Sequence, residues 1–482
     1  MTKTIKSVSN PKMKLEVLSQ QEIKRIHAAT LQVIEKTGVR FPSARALEIW
    51  ASHGAEVDRG KMIVRAKPDL IERALALCPP EYPLAARDPL QDLLLDGNHV
   101  FVGTDGCGVE VLDLHSGTRR SSCLQDVRDI ARIADATAEV AFHWVPVSAQ
   151  DVSPGTRGLH EIKAIWENSS KHVQTESIYN EREARAAIEL AALLVGGKEN
   201  LRSRPVLSLM QCSAPPLGHD GGSLDAALVA AEYGLPTGFM TMAANLTTGP
   251  ATLAGNLVVG NAEVVAGTAL IQLAYPGAPV FYAAAQTASD LRTGAYTGGG
   301  PEDFLYGAAT NALADFYKIP LSMGSFATGA KQPDWQAGVE NSLSTFMASI
   351  SMADMLLGVG LLHGSRIWSY AQMMLDCEIF SIIQKTLQGI TVDEEMLALD
   401  TIAAVGPGGN FLTQKHTHKH MRGIFLPQFL DRRPYSEWEQ KRDGPVDWAL
   451  EKARRTLASH QPDPLDDRVS AEMGRIITAL EK

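Results

Sequence analysis

Along most of the chain, short apolar runs alternate with longer stretches in which apolar residues recur every three or four positions. A strand turns every second residue to one face and a helix one residue in about 3.6, so this alternation predicts strand followed by helix. The spacing predicts strands starting near Val100, Val140, His172, Val206, Thr237, Val280, Leu321 and Leu356. Helices are predicted to start near Leu124, His160, Glu181, Leu224, Thr252, Asp303, Gln336 and Tyr370. Eight such units in succession imply a parallel sheet closed into a (β/α)8 barrel, the TIM-barrel architecture of the α/β class. An open doubly wound sheet is the alternative, but no G-x-G-x-x-G run follows the first strand.

The flanks differ from this rhythm. Residues 1–95 read as a helical extension: Ser19 precedes Gln20-Gln21-Glu22 as a cap, Ile23, Ile26, Leu31 and Ile34 share a face, and Gly38 stops the helix. Turn signals at Asp96-Gly97-Asn98 and His115-Ser116-Gly117-Thr118 frame a hairpin or meander around the first strand. The barrel is expected over residues 96–390. A basic segment and helices fill residues 391–482, ending in an exposed helix from Asp467.

Composition narrows the function classes. A net charge of -10 and the lack of interleaved aromatic and basic residues argue against a nucleic-acid partner. The stretch Leu253–Ala274 is apolar enough to suggest a membrane span, but Asn256, Asn261, Glu263 and Gln272 make it a buried helix instead. Five cysteines without a C-x-x-C pair suit free thiols in a reducing, cytoplasmic setting, and the N-terminus shows no apolar signal region.

In a barrel the site forms where the strands end. Those ends carry Asp105, Trp144, Glu176, Cys212, Asn245, Gln286, Phe326 and His363, without a Ser-His-Asp set, a nucleophile elbow or a phosphate loop. Aromatic residues make up only 6% of the chain, yet Trp144, Tyr282, Tyr296, Tyr306, Phe326, Trp335, Trp368 and Tyr370 all fall near these ends. Rings in such numbers suit a cage for a methylated ammonium group, though packing alone also uses them. Glu302 follows the glycine run Gly298–Gly300, which either lets backbone approach a ligand or serves as a turn with Glu302 and Asp303 at a helix start. Lys331 lies in the next loop, where Asp334 is placed to cap a helix. His416, His418 and His420 would share a face if the segment were a strand, but no cysteine or carboxylate stands at ligand spacing, so no metal site is expected. Cys107 and Cys212 have no histidine nearby in sequence to activate them.

Three segments carry a family resemblance: Gly406-Pro-Gly-Gly-Asn-Phe-Leu-Thr-Gln-Lys-His-Thr-His-Lys-His-Met-Arg422, Gly329-Ala-Lys-Gln-Pro-Asp-Trp-Gln-Ala-Gly-Val-Glu340, and Leu253–Pro279 with Asn261-Ala-Glu-Val264 and Tyr275-Pro-Gly-Ala-Pro279. Together the chain resembles the trimethylamine methyltransferase family, whose members move a methyl group from a methylated amine to a corrinoid protein. The resemblance implies a barrel, a homo-oligomer, a small amine substrate and a corrinoid (cobalamin) supplied by a partner protein rather than held by this chain. It also implies a substrate class. Some relatives carry pyrrolysine inside the barrel, whereas this chain contains standard residues only, like the relatives that act on quaternary amines.

A betaine-like quaternary amine is therefore the expected substrate. Glu302, Lys331 and His363 are the candidate catalytic groups. Trp144, Tyr282, Gln286, Tyr306, Phe326, Trp335, Trp368 and Tyr370 are the candidate substrate contacts. Lys331, Asn245, Gln286 and His363 are candidates to hold a betaine carboxylate, and Lys415, Lys419 and Arg422 to dock the corrinoid protein. Two other classes stay open: a barrel lyase or hydrolase using Asp105, Glu176 or His363 as acid and base, and a non-catalytic betaine-binding relative.

Overall fold

Eight parallel strands close into a barrel in the computed structural model, which describes residues 5–13, 15–106 and 108–481. They are β1 (His99–Thr104), β2 (Val140–Trp144), β3 (His172–Thr175), β4 (Leu207–Cys212), β5 (Thr237–Thr241), β6 (Val280–Ala284), β7 (Leu321–Gly324) and β8 (Met355–Val359). Neighbours pair in sequence order, and β8 returns to β1 through Met355–Phe101 and Leu356–Val102. Helices follow in turn: α1 (Leu124–Ala136), α2 (Arg157–Asn168), α3 (Glu181–Val195), α4 (Gly221–Glu232), α5 (Leu253–Ala274), α6 (Pro301–Tyr317), α7 (Trp335–Ile350) and α8 (Tyr370–Leu387). All eight predicted units are present, because the fully buried strands and their helix partners write strong, separate periods into the sequence.

Alternation along the strands sorts side chains between the barrel interior and the helix layer. Phe101, Phe142, Trp144, Met210, Met240, Phe281, Ala283, Met355 and Leu357 pack together inside. A hairpin of Tyr82–Leu84 and Leu93–Leu95 packs Tyr82, Leu84, Leu93 and Leu95 into the same cluster and closes the N-terminal end of the barrel. The Tyr82 hydroxyl donates to the Val280 carbonyl at 2.8 Å, and the Ala85 N–H to the Pro205 carbonyl at 3.1 Å. The other end stays open to ligands.

The N-terminal region is more mixed than its helical periodicity predicts. Ser19 does cap the helix Gln20–Lys36 in a reciprocal box with Glu22. Beyond it, Val39–Arg40, Glu56–Asp58 and Ile63–Arg65 form a small antiparallel sheet. Strands of two or three residues are too short to show a period, so sequence patterning misses them. Helix Gln20–Lys36 packs on α5, which is buried along most of its length between the barrel and this region. The final helix, Asp467–Glu481, is not free either: it buries Met473 and Ile477 against α2 and α3.

Polar residues buried between barrel and helices lock the layers. Asn261 donates to Thr30 and to the Tyr317 hydroxyl, each at 2.8 Å, and accepts from the Tyr282 hydroxyl at 3.2 Å. Glu263, two residues on and so about 200° around the helix, accepts from Ser213, Thr241 and the Leu217 N–H at 2.6–2.8 Å. The Asn261-Ala-Glu-Val264 motif is thus a strap across α5 and not part of a site. On α8, Asp376 accepts from Asn341, Gln372 and the Gly360 N–H at 2.8, 2.7 and 2.9 Å. Asp376→Leu leaves three buried donors without partners, each costing about 1–3 kcal/mol. Urea denaturation is expected to show a loss of roughly 3 kcal/mol or more; an unchanged unfolding midpoint would contradict this account.

The segment after α8 is helical where the sequence suggests irregular backbone. Lys415–His420 is a helix, so His416 and His420 meet at a tilt with ring centroids 4.4 Å apart while His418 turns to another face. Glu395 accepts from His420 at 3.0 Å and pairs with Lys419, which neutralises part of the basic run. Glu378 of α8 ties this segment down by accepting the N–H groups of Gln428, Phe429 and Leu430.

Candidate active site

A cavity of about 190 Å³ opens at the C-terminal end of the barrel. Its wall is drawn from seven strands and the residues just after them, including Asp105, Trp144, Cys212, Met240, Gln286, Gly324 and Leu357. The rest comes from the loops after β6, β7 and β8 and from α6. Asp303, Tyr306, Gly307 and Thr310 of α6 line it together because positions i, i+3, i+4 and i+7 share one helix face. Met242 and Tyr296, 38% and 40% exposed, mark where the cavity reaches solvent. It is smaller than the roughly 300–1,000 Å³ typical of pockets for drug-sized ligands, so a small substrate fits it.

Two carboxyl groups face this space. Asp105 is buried, accepts from Ser365 at 2.6 Å, and burial pushes its pKa up to about 6. Asp303 gives one oxygen to the Gly300 N–H at 3.1 Å, capping α6, while its Oδ1 is buried without a hydrogen-bond partner. Burial pushes Asp303 to about 6 as well. Neither has a cationic partner in the wall, since no lysine, arginine or histidine lines the cavity among the described residues.

Several neutral donors beside the cavity are committed to other groups. The Tyr306 hydroxyl donates to Asn245 Oδ1, and Asn245 Nδ2 donates to the carbonyls of Pro250 and Ala251 at 3.0 Å. Gln286 Nε2 donates to the Asn256 carbonyl at 2.8 Å, leaving its buried Oε1 unpartnered. Trp144 Nε1 and Thr310 Oγ1 are also buried without partners.

Of the residues singled out from sequence, the structure brings Trp144, Gln286 and Tyr306 together. Tyr282 points from β6 to Asn261 in the helix layer, since its neighbours Phe281 and Ala283 take the inward positions. Phe326 is fully buried outside the lining. Trp368 and Tyr370 do meet edge to face at 6.3 Å, but as buried core rings away from the cavity. Trp335 is 82% exposed at the start of α7, because Asp334 spends its side chain capping that helix and the ring projects outward.

The three catalytic candidates lie off the wall too. Glu302 is exposed, one residue and so about 100° around α6 from Asp303. Lys331 is exposed and donates to the Gly329 carbonyl. His363 has a left-handed φ of 56° and its backbone N–H donates to Ala330 at 2.8 Å, which pins two rim loops together. Of the acid–base trio Asp105, Glu176 and His363, only Asp105 lines the cavity. Cys212 lines it as well, with a thiol that burial pushes well above its ordinary range. Cys107 lies outside the described residues.

Sequence motifs around the rim serve its architecture. Glu340 accepts from Thr328 Oγ1 at 2.5 Å and the Gly329 N–H at 2.9 Å, tying the loop after β7 to α7. Gly299, with φ +76°, lies so close that an added Cβ would come 2.6 Å from the Ala327 carbonyl oxygen and from Glu340 Cβ. The glycine run therefore permits loop-on-loop packing. Asp303 is the cavity carboxyl that sequence reading missed: as a helix-start acid it looked like a dipole partner, and only its i, i+3, i+4 relation to Tyr306 and Gly307 hinted at more.

Comparison with known proteins places this geometry. The profile of the family described as Trimethylamine methyltransferase (MTTB) matches residues 1–479. The chain is 33% identical over 466 residues to a trimethylamine methyltransferase of Desulfitobacterium hafniense, covering 96% of this chain and 93% of that one. It is 32% identical over 472 residues to a glycine betaine methyltransferase of the same species, covering 97% and 98%. In fold it is similar to the crystal structure of the Methanosarcina barkeri monomethylamine methyltransferase, with a TM-score of 0.54 at 12% identity over 93% of this chain and 89% of that one. The chain is a methyltransferase and belongs to the trimethylamine methyltransferase family.

Proposed function

We propose that this methyltransferase removes a methyl group from a small quaternary ammonium compound and delivers it to a Co(I) corrinoid carried by a separate protein. The observation that carries this reading is the cavity itself: three rings (Trp144, Tyr296, Tyr306), two carboxyls (Asp105, Asp303) and no fixed cation. A quaternary nitrogen donates no hydrogen bond, so ring faces and carboxylates are what recognise it, and a desolvated cation over a ring gains about 2 kcal/mol. The names of the relatives point to methylated nitrogen as the methyl source.

In this transfer the carbon–nitrogen bond breaks and a carbon–cobalt bond forms. Cobalt supplies the new electron pair, and the old pair leaves with nitrogen as a neutral tertiary amine. No proton changes hands. The wall would meet that demand by positioning a cation, and no histidine, lysine or arginine is paired with its carboxyls among the described residues, so its contribution would be proximity and alignment, worth up to about 7–11 kcal/mol. Trp144, Tyr296 and Tyr306 would hold the onium group, and Asp105 and Asp303 would balance its charge. The opening at Met242 and Tyr296 is the side from which the methyl acceptor would reach it.

Incubating the full chain with reduced Co(I) corrinoid and a panel of methylated amines tests this. Methyl-Co(III) absorbance is expected with a quaternary amine and not with trimethylamine. Transfer from trimethylamine alone would overturn the quaternary reading, and no transfer from any methylated amine would overturn the proposed function.

A further inference from the structure

Resting on that reading, we infer that the cavity selects a quaternary ammonium compound without a carboxylate arm, which departs from the betaine expected from sequence. The charged side chains that line the wall are carboxyls. Asp105 and Asp303 face the space, and no lysine, arginine or histidine lines it among the described residues. The donors that a carboxylate would seek are already committed elsewhere: Gln286 Nε2 to Asn256, Asn245 Nδ2 to Pro250 and Ala251, the Tyr306 hydroxyl to Asn245, and the Ser365 hydroxyl to Asp105.

Among the described residues of the wall, the indole N–H of Trp144 and the hydroxyl of Thr310 are buried without partners. They do not compensate for two aspartates in a small, largely buried space, where like charges repel far more strongly than in water. Of the groups expected to receive a betaine carboxylate, Lys331 projects to solvent and His363 belongs to the rim, while the amides of Asn245 and Gln286 donate to backbone carbonyls. A hydroxyl arm, by contrast, carries no charge for the two aspartates to repel. An ammonium compound that is purely methylated or carries a hydroxyl therefore matches the cavity, and one carrying a carboxylate does not.

Calorimetric titration of the full chain with tetramethylammonium, choline, glycine betaine and carnitine, paired with methyl transfer to Co(I) corrinoid, tests the inference. At pH 7.5, about tenfold or tighter binding is expected for the first two over the last two. Asp303→Asn is expected to weaken choline binding while narrowing its advantage over glycine betaine, an outcome that general loss of folding does not give. Tighter binding and faster transfer with glycine betaine would overturn this inference and leave the proposed function standing. If none of the four binds or donates a methyl group, the proposed function itself falls.

Discussion

Gly324→Leu is expected to lower methyl transfer roughly 100-fold or more while leaving the melting temperature within a degree or so of the parent, because a small misplacement of reacting atoms is enough to stop an aligned displacement. Gly324 ends β7 and lines the cavity. A Cβ added there would meet only Ala285 Cβ, at 3.6 Å, which is ordinary contact, and the backbone is not left-handed. The fold therefore tolerates a side chain at this point, whereas a cavity of about 190 Å³ loses much of its room to an isobutyl group. Gly299→Ala makes the complementary case: with φ +76° and the Ala327 carbonyl oxygen 2.6 Å from the new Cβ, it should lower stability through the rim. Single-turnover transfer and thermal denaturation of both variants separate the two effects. Full activity in Gly324→Leu would mean that the methyl donor binds elsewhere.

Removing both cavity carboxyls is the second large effect. Asp105→Asn with Asp303→Asn is expected to weaken binding of a quaternary cation by on the order of 2 kcal/mol per site, about 30-fold each, before any relaxation of the wall. The pH dependence follows from the same groups. Burial holds both carboxyls near pKa 6 in the free protein, so below that pH they are largely protonated and offer no charge. A permanent cation stabilises the ionised form and lowers both values, so binding releases protons at acid pH. Affinity should therefore rise from pH 5 to about 7 and level off above. In the double variant this rise should vanish. Titrations across that range, in buffers of differing ionisation enthalpy, measure both affinity and proton release. A flat profile for the parent protein would show that the aspartates do not face the bound cation.

The glutamate next to Asp303 illustrates why the chemistry was harder to read than the fold. Glu302 and Asp303 are adjacent acids after a glycine run, and nothing local distinguishes them. Only the docking of α6 over the barrel end turns one into the cavity and the other to solvent. The aromatic residues follow the same logic. Trp144 is inward on β2 and Tyr282 outward on β6, a matter of strand register that a local count of rings near strand ends does not resolve. Trp368 and Tyr370 lie near the end of the last strand in sequence, yet they form core at the junction with α8.

What the sequence determined by itself was the set of eight strand–helix units, since each buried strand and amphipathic helix imprints its own period on the chain and closure follows from their number. It also determined the family, through segments whose residues prove to hold the scaffold together: Asn261 and Glu263 across α5, and Asp334 and Glu340 around the rim. Tertiary structure alone decided which side chains share the cavity and what charge it presents. That outcome depends on strand register, helix rotation and the partners that consume each donor, and these are relations between residues far apart in the chain.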